Sequence, residues 1–141
     1  VSWVVGDEHN MPKTMKNLAD MLINPKVVDD QFGRLTFASE IARATKYFLD
    51  NNVAYGLYNV TNEGPVKSWY EIAADVFEYA GHDRNRVQSI STEEYAASKP
   101  GFAPRPLNSD MDLSKLRRTG FTPRDYTDML KDYIKQLPVN R

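Results

Sequence analysis

The sequence predicts an α/β fold in which short strands alternate with helices. Apolar residues recur at helical spacing in several segments, and short runs rich in valine or isoleucine lie between them. Turns that contain glycine, proline or asparagine separate these segments. A chain of 141 residues can bury a core of its own. We therefore expect one layered domain.

The first part of the chain predicts a strand, a helix and a second strand. Trp3–Val5 is a short apolar run that ends at Gly6. A helix is predicted from Pro12, because proline is tolerated in a first helical turn, and Asn24-Pro25 ends it. The expected apolar stripe consists of Met11, Met15, Leu18 and Leu22. Val27-Val28 predicts the next strand, and residues 29–33 predict a turn.

A second helix is predicted to begin near Thr36 or Ser39 and to end at Asn51. Its expected inner face consists of Ile41, Ala42, Thr45, Phe48 and Leu49. The run Tyr55–Val60 then predicts a strand.

Two capping boxes, each a serine followed three residues later by a glutamate, predict the starts of two further helices at Ser68 and Ser91. The first helix should run to Ala80 with Gly81 in the left-handed conformation, and Pro100 should end the second. A strand over Val87–Ile90 separates them. A last helix should open at residues 122–125, with a stripe formed by Tyr126, Met129, Leu130, Tyr133, Ile134 and Leu137.

Composition excludes several classes of function. The net charge is −1, so the whole chain carries no electrostatic footprint for nucleic acid or a membrane surface. The absence of cysteine excludes disulfides and thiolate chemistry, and His9 and His82 lack the spacing of metal ligands. No apolar run approaches the roughly 20 residues of a membrane helix. We expect a cytoplasmic protein without a metal.

Motifs for catalysis are largely missing. The seven glycines are scattered and form neither G-x-G-x-x-G nor a P-loop. Tyr95 and Lys99 match the Y-x-x-x-K spacing with which short-chain dehydrogenases pair a phenol with an ammonium. The pattern is expected by chance about half the time at this composition, and Pro100 ends the helix directly after Lys99. We therefore predict that this pair is not catalytic.

Arg105 carries the most distinctive local pattern, because prolines precede and follow it. Each proline fixes its own φ, so the arginine is held in a stiff loop. A guanidinium presented in this way suits a diphosphate, which accepts two parallel hydrogen bonds. A solvated arginine on a rigid surface loop is the alternative.

Other polar or aromatic positions have two readings each. Trp3 at a strand end could stack on a sugar or belong to the core. Asp29-Asp30 could bind a cation or form a solvated turn, and we favour the turn. The basic run Lys115, Arg117 and Arg118 is more typical of a helix end than of a nucleic-acid site.

Five segments, in order, resemble the dTDP-4-dehydrorhamnose reductases. Ser2–Gly6 with Asn10 and Lys13–Met15 is similar to their "SWV-x-G…NF-x-x-TM" segment, and residues 28–36 to "V-x-DQ-x-G-x-PT". Residues 56–60 and 68–73 resemble the next strand and helix, and residues 105–109 resemble "RP-x-NS-x-L". Two departures are Met11-Pro12, where proline removes an amide donor, and Leu35 in place of proline.

The resemblance implies the C-terminal part of a Rossmann-type extended short-chain dehydrogenase. Its members reduce dTDP-4-dehydro-L-rhamnose to dTDP-L-rhamnose with NADP or NAD as the cofactor. In the family the Gly-rich fingerprint and the catalytic Tyr/Lys lie in an N-terminal portion, which is absent from this sequence. Residues 1–141 are thus expected to be the substrate-binding portion, from a chain that resembles fused 3,5-epimerase/reductases.

The family's site residues carry over by position. Trp3 would pack against the deoxysugar, while Asn10 and Lys13 would face the sugar-nucleotide. Gln31 and Thr36 would shape the pocket. Arg105 would bind the diphosphate, with Asn108 hydrogen-bonding nearby. No catalytic or cofactor-binding residue carries over.

The expected partner is the dTDP-sugar, and the chain alone should be inactive. Self-association through a face left uncovered by the absent portion is a further expectation. The alternative function is a non-catalytic interaction or regulatory subunit of the same fold. A freestanding module that uses Tyr95 and Lys99 lacks a loop to hold a cofactor.

Overall fold

Three short strand pairings tie distant parts of the chain together. The computed structural model of the protein describes residues 1–139. Strand β1 (Val4–Val5) lies parallel to β4 (Thr36–Phe37). Strand β2 (Lys26–Val28) lies parallel to β6 (Gln88–Ile90), and β3 (Phe32–Gly33) is antiparallel to β5 (Lys67–Ser68). The chain mixes helices with short strands, two of whose three pairings are parallel, which confirms the predicted α/β class.

Six helices surround these pairings in the described residues. They are α1 (Met11–Asp20), α2 (Ala38–Asp50), α3 (Trp69–Tyr79), α4 (Thr92–Ser98), α5 (Ser114–Arg118) and α6 (Tyr126–Gln136). A 3₁₀ turn over Arg84–Arg86 leads into β6. No helix within residues 1–139 is long and apolar enough to cross a membrane. The predicted cytoplasmic location stays a prediction.

The main core lies between α3 and α6. Ile72 and Val76 of α3 pack with Leu130 and Ile134 of α6, and Leu35 joins them from the loop before β4. A second cluster forms around Phe77, where α3 meets α1 and β2. The predicted apolar sides of α3 and α6 are therefore confirmed, because each helix has an apolar neighbour along its stripe.

The predicted ends of α3 and α4 are also confirmed, whereas α1 ends at Asp20, ahead of the predicted Asn24-Pro25. Ser68 and Glu71 form a reciprocal capping box at α3, as do Ser91 and Glu94 at α4. Gly81 follows α3 with a φ of +83°, the left-handed region in which glycine pays no steric cost. Helix α4 ends at Ser98, ahead of Pro100.

The predicted inner face of α2 is right for Phe48, which packs on the cluster around Ala44, and wrong for Ala42, Thr45 and Leu49, which are exposed. Its buried residues are Glu40 and Ala44, whereas Leu49 is 75% exposed. The carboxylate of Glu40 accepts hydrogen bonds from the side chain of Arg43 and from the backbone N–H of Arg124 at 3.0 Å. This polar anchor and the packing of Ala44 on residues 113–121 orient the helix so that Leu49 is left exposed.

The predicted strand over Tyr55–Val60 is wrong as well. The segment is not paired with any described strand, and its side chains at Tyr55 and Leu57 are 106% and 91% exposed. A β-strand requires backbone hydrogen bonds from a neighbour, and the described residues supply none here.

Two smaller expectations also differ from the structure. The predicted turn over residues 29–33 contains β3, so its end is paired rather than solvated. The stripe of α1 is shifted, because Pro12, Lys16 and Ala19 are buried while Leu22 is exposed. Lys16 is buried next to the carboxylate of Asp20, an ion pair that apolar periodicity does not reveal.

Candidate functional site

A cavity of about 500 Å³ opens between the first turns of α1 and α3, strand β2, and the segment that follows α4. Its walls are mostly apolar and include the aromatic side chains of Trp3, Trp69, Tyr95 and Phe102. Two of its lining residues, Lys26 and Arg105, are cations, and no carboxylate lines it among the described residues. A cavity of this size and character accommodates a small organic ligand that carries negative charge.

Trp3 and Trp69 form the floor of this cavity. Their rings stack with centroids 3.7 Å apart and an interplanar angle of 22°. The backbone carbonyl of Trp3 accepts a hydrogen bond from the N–H of Thr36 at 3.0 Å, which ties the residue to β4. Trp69 is the first residue of α3, and its N–H donates to the carbonyl of Gln31 at 3.2 Å.

Gln31 connects the floor to α4. Its amide Nε2 donates to the hydroxyl of Thr92 at 3.0 Å, and that hydroxyl donates to Asp30 at 2.6 Å. The Thr92 hydroxyl and then the Thr92 backbone N–H stabilise the carboxylate, so the pKa of Asp30 lies below its usual value. Asp30 therefore anchors α4, and no metal-binding group of acidic residues or histidines is found within residues 1–139.

Arg105 lies at the mouth of the cavity on an exposed loop. Its guanidinium makes no hydrogen bond or ion pair with the part of the chain that the structure describes, and the same is true of Lys26. The loop itself is held, because Phe32 N–H donates to the carbonyl of Leu107 at 2.9 Å and Ser109 N–H donates back to Phe32 at 2.7 Å. A free guanidinium on an anchored loop can bind an anion with two hydrogen bonds.

The family model described as the RmlD substrate binding domain matches residues 1–139. The chain belongs to this family.

Curated relatives of this RmlD-family chain include a dTDP-4-dehydrorhamnose reductase. That protein, from Aggregatibacter actinomycetemcomitans, is 35% identical over 93% of this chain and 47% of its own length. The spore coat polysaccharide biosynthesis protein SpsK of Bacillus subtilis is 32% identical over 96% of the chain and 45% of its own length. The chain thus spans about half the length of the curated relatives it matches.

Solved structures agree with this assignment. A dTDP-4-dehydrorhamnose reductase ortholog from Clostridium acetobutylicum superposes with a TM-score of 0.83 at 34% identity, over 95% of this chain and 46% of that one. The reductase of Bacillus anthracis, solved in complex with NADP, has a TM-score of 0.81 at 30% identity, over 96% and 46%. The predicted family resemblance and the Rossmann-type fold are confirmed.

Of the predicted site residues of this RmlD-family chain, Trp3, Gln31 and Arg105 line the cavity, whereas Asn10 and Thr36 are used by the fold. The Asn10 amide nitrogen is 2.9 Å from Gly6 O, Glu8 O and Tyr133 Oη, and its oxygen caps α1. The Thr36 hydroxyl is fully buried and 2.6 Å from that of Thr61. Their contact with a ligand stays a prediction.

Lys13 and Asn108 are also outside the cavity lining. The ammonium of Lys13 donates to Asp7 O at 3.0 Å, next to the start of α1. The side-chain oxygen of Asn108 accepts from Asp110 N–H at 2.9 Å, which shapes the turn after the arginine loop. Each residue lies close in sequence to one that lines the cavity, Lys13 to Met11 and Asn108 to Ser109.

Sequence reasoning missed Trp69, Lys26 and Phe102 as cavity residues. Trp69 looked like a core residue because it belongs to the apolar stripe of α3, and it does touch the core. Tyr95 stood out only through its spacing to Lys99. In the structure the Lys99 ammonium lies 5.7 Å from the centre of the Tyr95 ring, over its face, so it forms a cation–π contact.

The turn between β1 and α1 does not build a dinucleotide cradle. Gly6 is the glycine that follows a parallel strand and precedes a helix, and its carbonyl is taken by Asn10 and Tyr133. The first turn of α1 lacks one amide at Pro12, and another, that of Lys13, donates to Asn10. A nucleotide pyrophosphate therefore has no amide cluster to bind at this helix end.

Proposed function

We propose that this chain binds the dTDP-sugar in a dTDP-4-dehydrorhamnose reductase, which reduces dTDP-4-dehydro-L-rhamnose to dTDP-L-rhamnose. The supporting observation is the cavity of about 500 Å³, with its stacked indoles and two unpaired cations. A sugar-nucleotide combines apolar ring faces with a diphosphate, and this cavity offers partners to both. Membership of the RmlD family supports the same substrate class.

Each lining residue has a task in this proposal. Arg105 donates two parallel hydrogen bonds to the diphosphate, and Lys26 adds a second positive charge. Trp3 and Trp69 exclude water from the floor of the cavity beneath the sugar. Gln31 holds α4 next to the cavity through its hydrogen bond to Thr92. Asn10 and Thr36 keep the strand and helix ends in place beneath the cavity.

The hydride donor, NADP or NAD, belongs to the proposed whole enzyme. The residues described here do not fit its pyrophosphate, so we assign its binding mainly to a cofactor-binding portion such as the relatives' remaining length would provide. The 141 residues by themselves bind substrate and catalyse no reduction with NADH or NADPH. A regulatory subunit that lacks the reductase activity altogether is the alternative.

Tryptophan fluorescence tests the binding proposal directly. Trp3 and Trp69 are the two tryptophans of the chain, and both line the cavity, so the signal reports on this site alone. Titration with dTDP-L-rhamnose should give a saturable change in tryptophan fluorescence, whereas free L-rhamnose should give none. A flat titration would remove the dTDP-sugar from this cavity.

Arg105→Ala is the matching substitution. Loss of a charge-assisted bidentate contact should weaken binding by about 10- to 100-fold, and Arg105→Lys should recover only part of it. Arg118→Ala is the control, because Arg118 is an exposed arginine at a different cleft. Equal affinities of wild type and Arg105→Ala would show that the guanidinium is merely solvated.

We also infer that the uncovered apolar surface of Leu49, Tyr55 and Leu57 lets the isolated chain self-associate. These side chains are largely exposed, and contiguous apolar surface favours association. Sedimentation velocity over a concentration series should show dimers or larger species that Leu49→Ser/Leu57→Ser reduces. A monomer at every concentration would contradict this inference.

A further inference from the structure

The indole of Trp3 is held in an unusual way. Its backbone has a φ of +50°, in the left-handed region that bulky residues rarely adopt. Such a conformation persists only where the surroundings enforce it, and it tends to occur at functional sites. The contacts around the ring should therefore explain why the residue is kept there.

Trp69 covers one face of the Trp3 ring. The two indoles are stacked with centroids 3.7 Å apart, and Trp69 is itself fixed at the first position of α3. The Ser68–Glu71 capping box and the bond from Trp69 N–H to Gln31 O leave its backbone little freedom.

Gly33 covers the other face. A Cβ built on Gly33 would lie 3.0, 3.0 and 3.2 Å from Cε2, Cζ2 and Cη2 of Trp3. Nearly equal distances to three consecutive ring atoms place that point over the ring face and not at its edge. Two rings stacked at 3.7 Å leave no room for a backbone between them, so Gly33 lies opposite Trp69.

The glycine at this position is explained by space and not by backbone conformation. Its φ is outside the left-handed region, so other residues could adopt its backbone. Their Cβ atom, however, would crowd the ring of Trp3. Gly33 pairs with Lys67 in the β3–β5 ladder, and Trp69 follows two residues later, so a single ladder sets the distance between both walls.

We propose that Gly33 and Trp69 form a slot that fixes the plane of Trp3, and that both are positioning residues for recognition of the dTDP-sugar. With both faces covered, Trp3 presents its edge to the cavity, and its indole N–H has no partner among residues 1–139. The edge can donate a hydrogen bond to a ligand oxygen, whereas stacking on a sugar is blocked. This inference rests on the proposed function.

Gly33→Ala tests the slot, with Gly6→Ala as its control. A Cβ on Gly6 would meet Ala38 at 3.5 Å, an ordinary contact, and Gly6 also has an unstrained φ. Stacked indoles give an exciton couplet in far-ultraviolet circular dichroism, which reads the geometry without any ligand. Isothermal titration calorimetry with dTDP-L-rhamnose reads affinity, and calorimetric melting reports on folding.

We expect Gly33→Ala to weaken the couplet and to reduce affinity by about tenfold, since small misplacements of a positioning group have effects of this size. Gly6→Ala should retain both. Trp69→Phe should bind better than Trp69→Leu, because a phenyl ring still closes one side of the slot. If Gly33→Ala fails to fold, the affinities of Trp69→Phe and Trp69→Leu test the slot instead.

An unchanged couplet and unchanged affinity in Gly33→Ala would overturn the slot. Equal affinities of Trp69→Phe, Trp69→Leu and wild type would also overturn it. If wild type fails to bind dTDP-L-rhamnose, the proposed function fails and the ligand part of this inference fails with it. The couplet would still decide whether Gly33 sets the ring plane.

Discussion

Helices α6 and α2 both carry apolar stripes, yet α2 leaves part of its stripe exposed whereas α6 packs its stripe against the core. Leu130 in α6 is 1% exposed, packed against α3, whereas Leu49 in α2 is 75% exposed. The region of α1, α3 and α6 contains partners for its own side chains. Helix α2 packs on residues 113–121 through Ala44 and Phe48, and no described element covers Leu49. Periodicity therefore predicts which face is apolar, but a neighbouring element decides whether that face is buried.

The prediction with the largest expected effect replaces one leucine in α6 and one in α2. Leu130→Ala should lower the free energy of unfolding by about 2–5 kcal/mol, because it leaves a cavity in the core. At concentrations where the chain is monomeric, Leu49→Ala should change it by less than about 0.5 kcal/mol, as expected at an exposed site. Urea unfolding of both variants measures the two values. Similar losses would mean that Leu49 is covered in solution.

A second pair compares two asparagines. Asn10→Ala should cost about 1–3 kcal/mol of folding stability, because it removes the cap of α1 and one of the hydrogen-bond partners of Gly6 O and of Tyr133 Oη, which keep only the bond to each other. Asn51→Ala should cost far less, since its amide donates only to Tyr47 O at the surface. Thermal melts provide the comparison. A stable Asn10→Ala that has lost dTDP-L-rhamnose binding would favour direct ligand contact.

The helix starts differ in the same way. Ser68→Ala should destabilise the protein by about 1 kcal/mol, because the hydroxyl caps Glu71 N–H at 3.1 Å. Helix α2 has no side-chain cap, and its exposed Ser39 makes no hydrogen bond within residues 1–139. Ser39→Ala should therefore be nearly neutral in chemical denaturation. An equally neutral Ser68→Ala would show that the capping box adds little to α3.

The smallest expected effect is a pH dependence at Asp30. The Thr92 hydroxyl and N–H hold its pKa below the ordinary value of 3.8 in the folded protein. A depressed pKa stabilises the folded state above pH 4, and this contribution is lost as the pH falls below 3.8 through the folded-state pKa. In Asp30→Asn the free energy of unfolding should fall less steeply with decreasing pH in the acid range than in wild type. Asp50→Asn, which removes an exposed ion pair in α2, should change this slope slightly less. Identical slopes would contradict the anchoring of α4.

Much of the secondary structure was predictable because its signals are local. Capping boxes, Gly81 after α3 and Pro100 after α4 each act through bonds within a few residues. The strand over Tyr55–Val60 failed because its sequence pattern says nothing about whether another strand is within reach.

The candidate site likewise contains residues that local sequence predicts and residues that it does not. Arg105 was predictable from its flanking prolines, and Trp3 and Gln31 from family motifs. Trp69 and Lys26 were not, because neither the helical stripe nor the strand sequence shows which elements will enclose a cavity. Asn10 was assigned to the ligand, and the structure shows its polar atoms hydrogen-bonded within the fold.

The sequence by itself determined the α/β class, most helix boundaries, the family and the arginine loop, since these follow from local hydrogen bonds, backbone restrictions and short motifs. Only the tertiary structure decided that Gly33, Trp3 and Trp69 meet, although Gly33 lies 30 residues after Trp3 and 36 residues before Trp69 in the chain. The β3–β5 ladder brings Gly33 close to Trp69, and the β1–β4 pairing brings in Trp3, both through long-range backbone pairing. Burial and cavity formation depend on such pairings, and no local pattern encodes which distant segments will supply them.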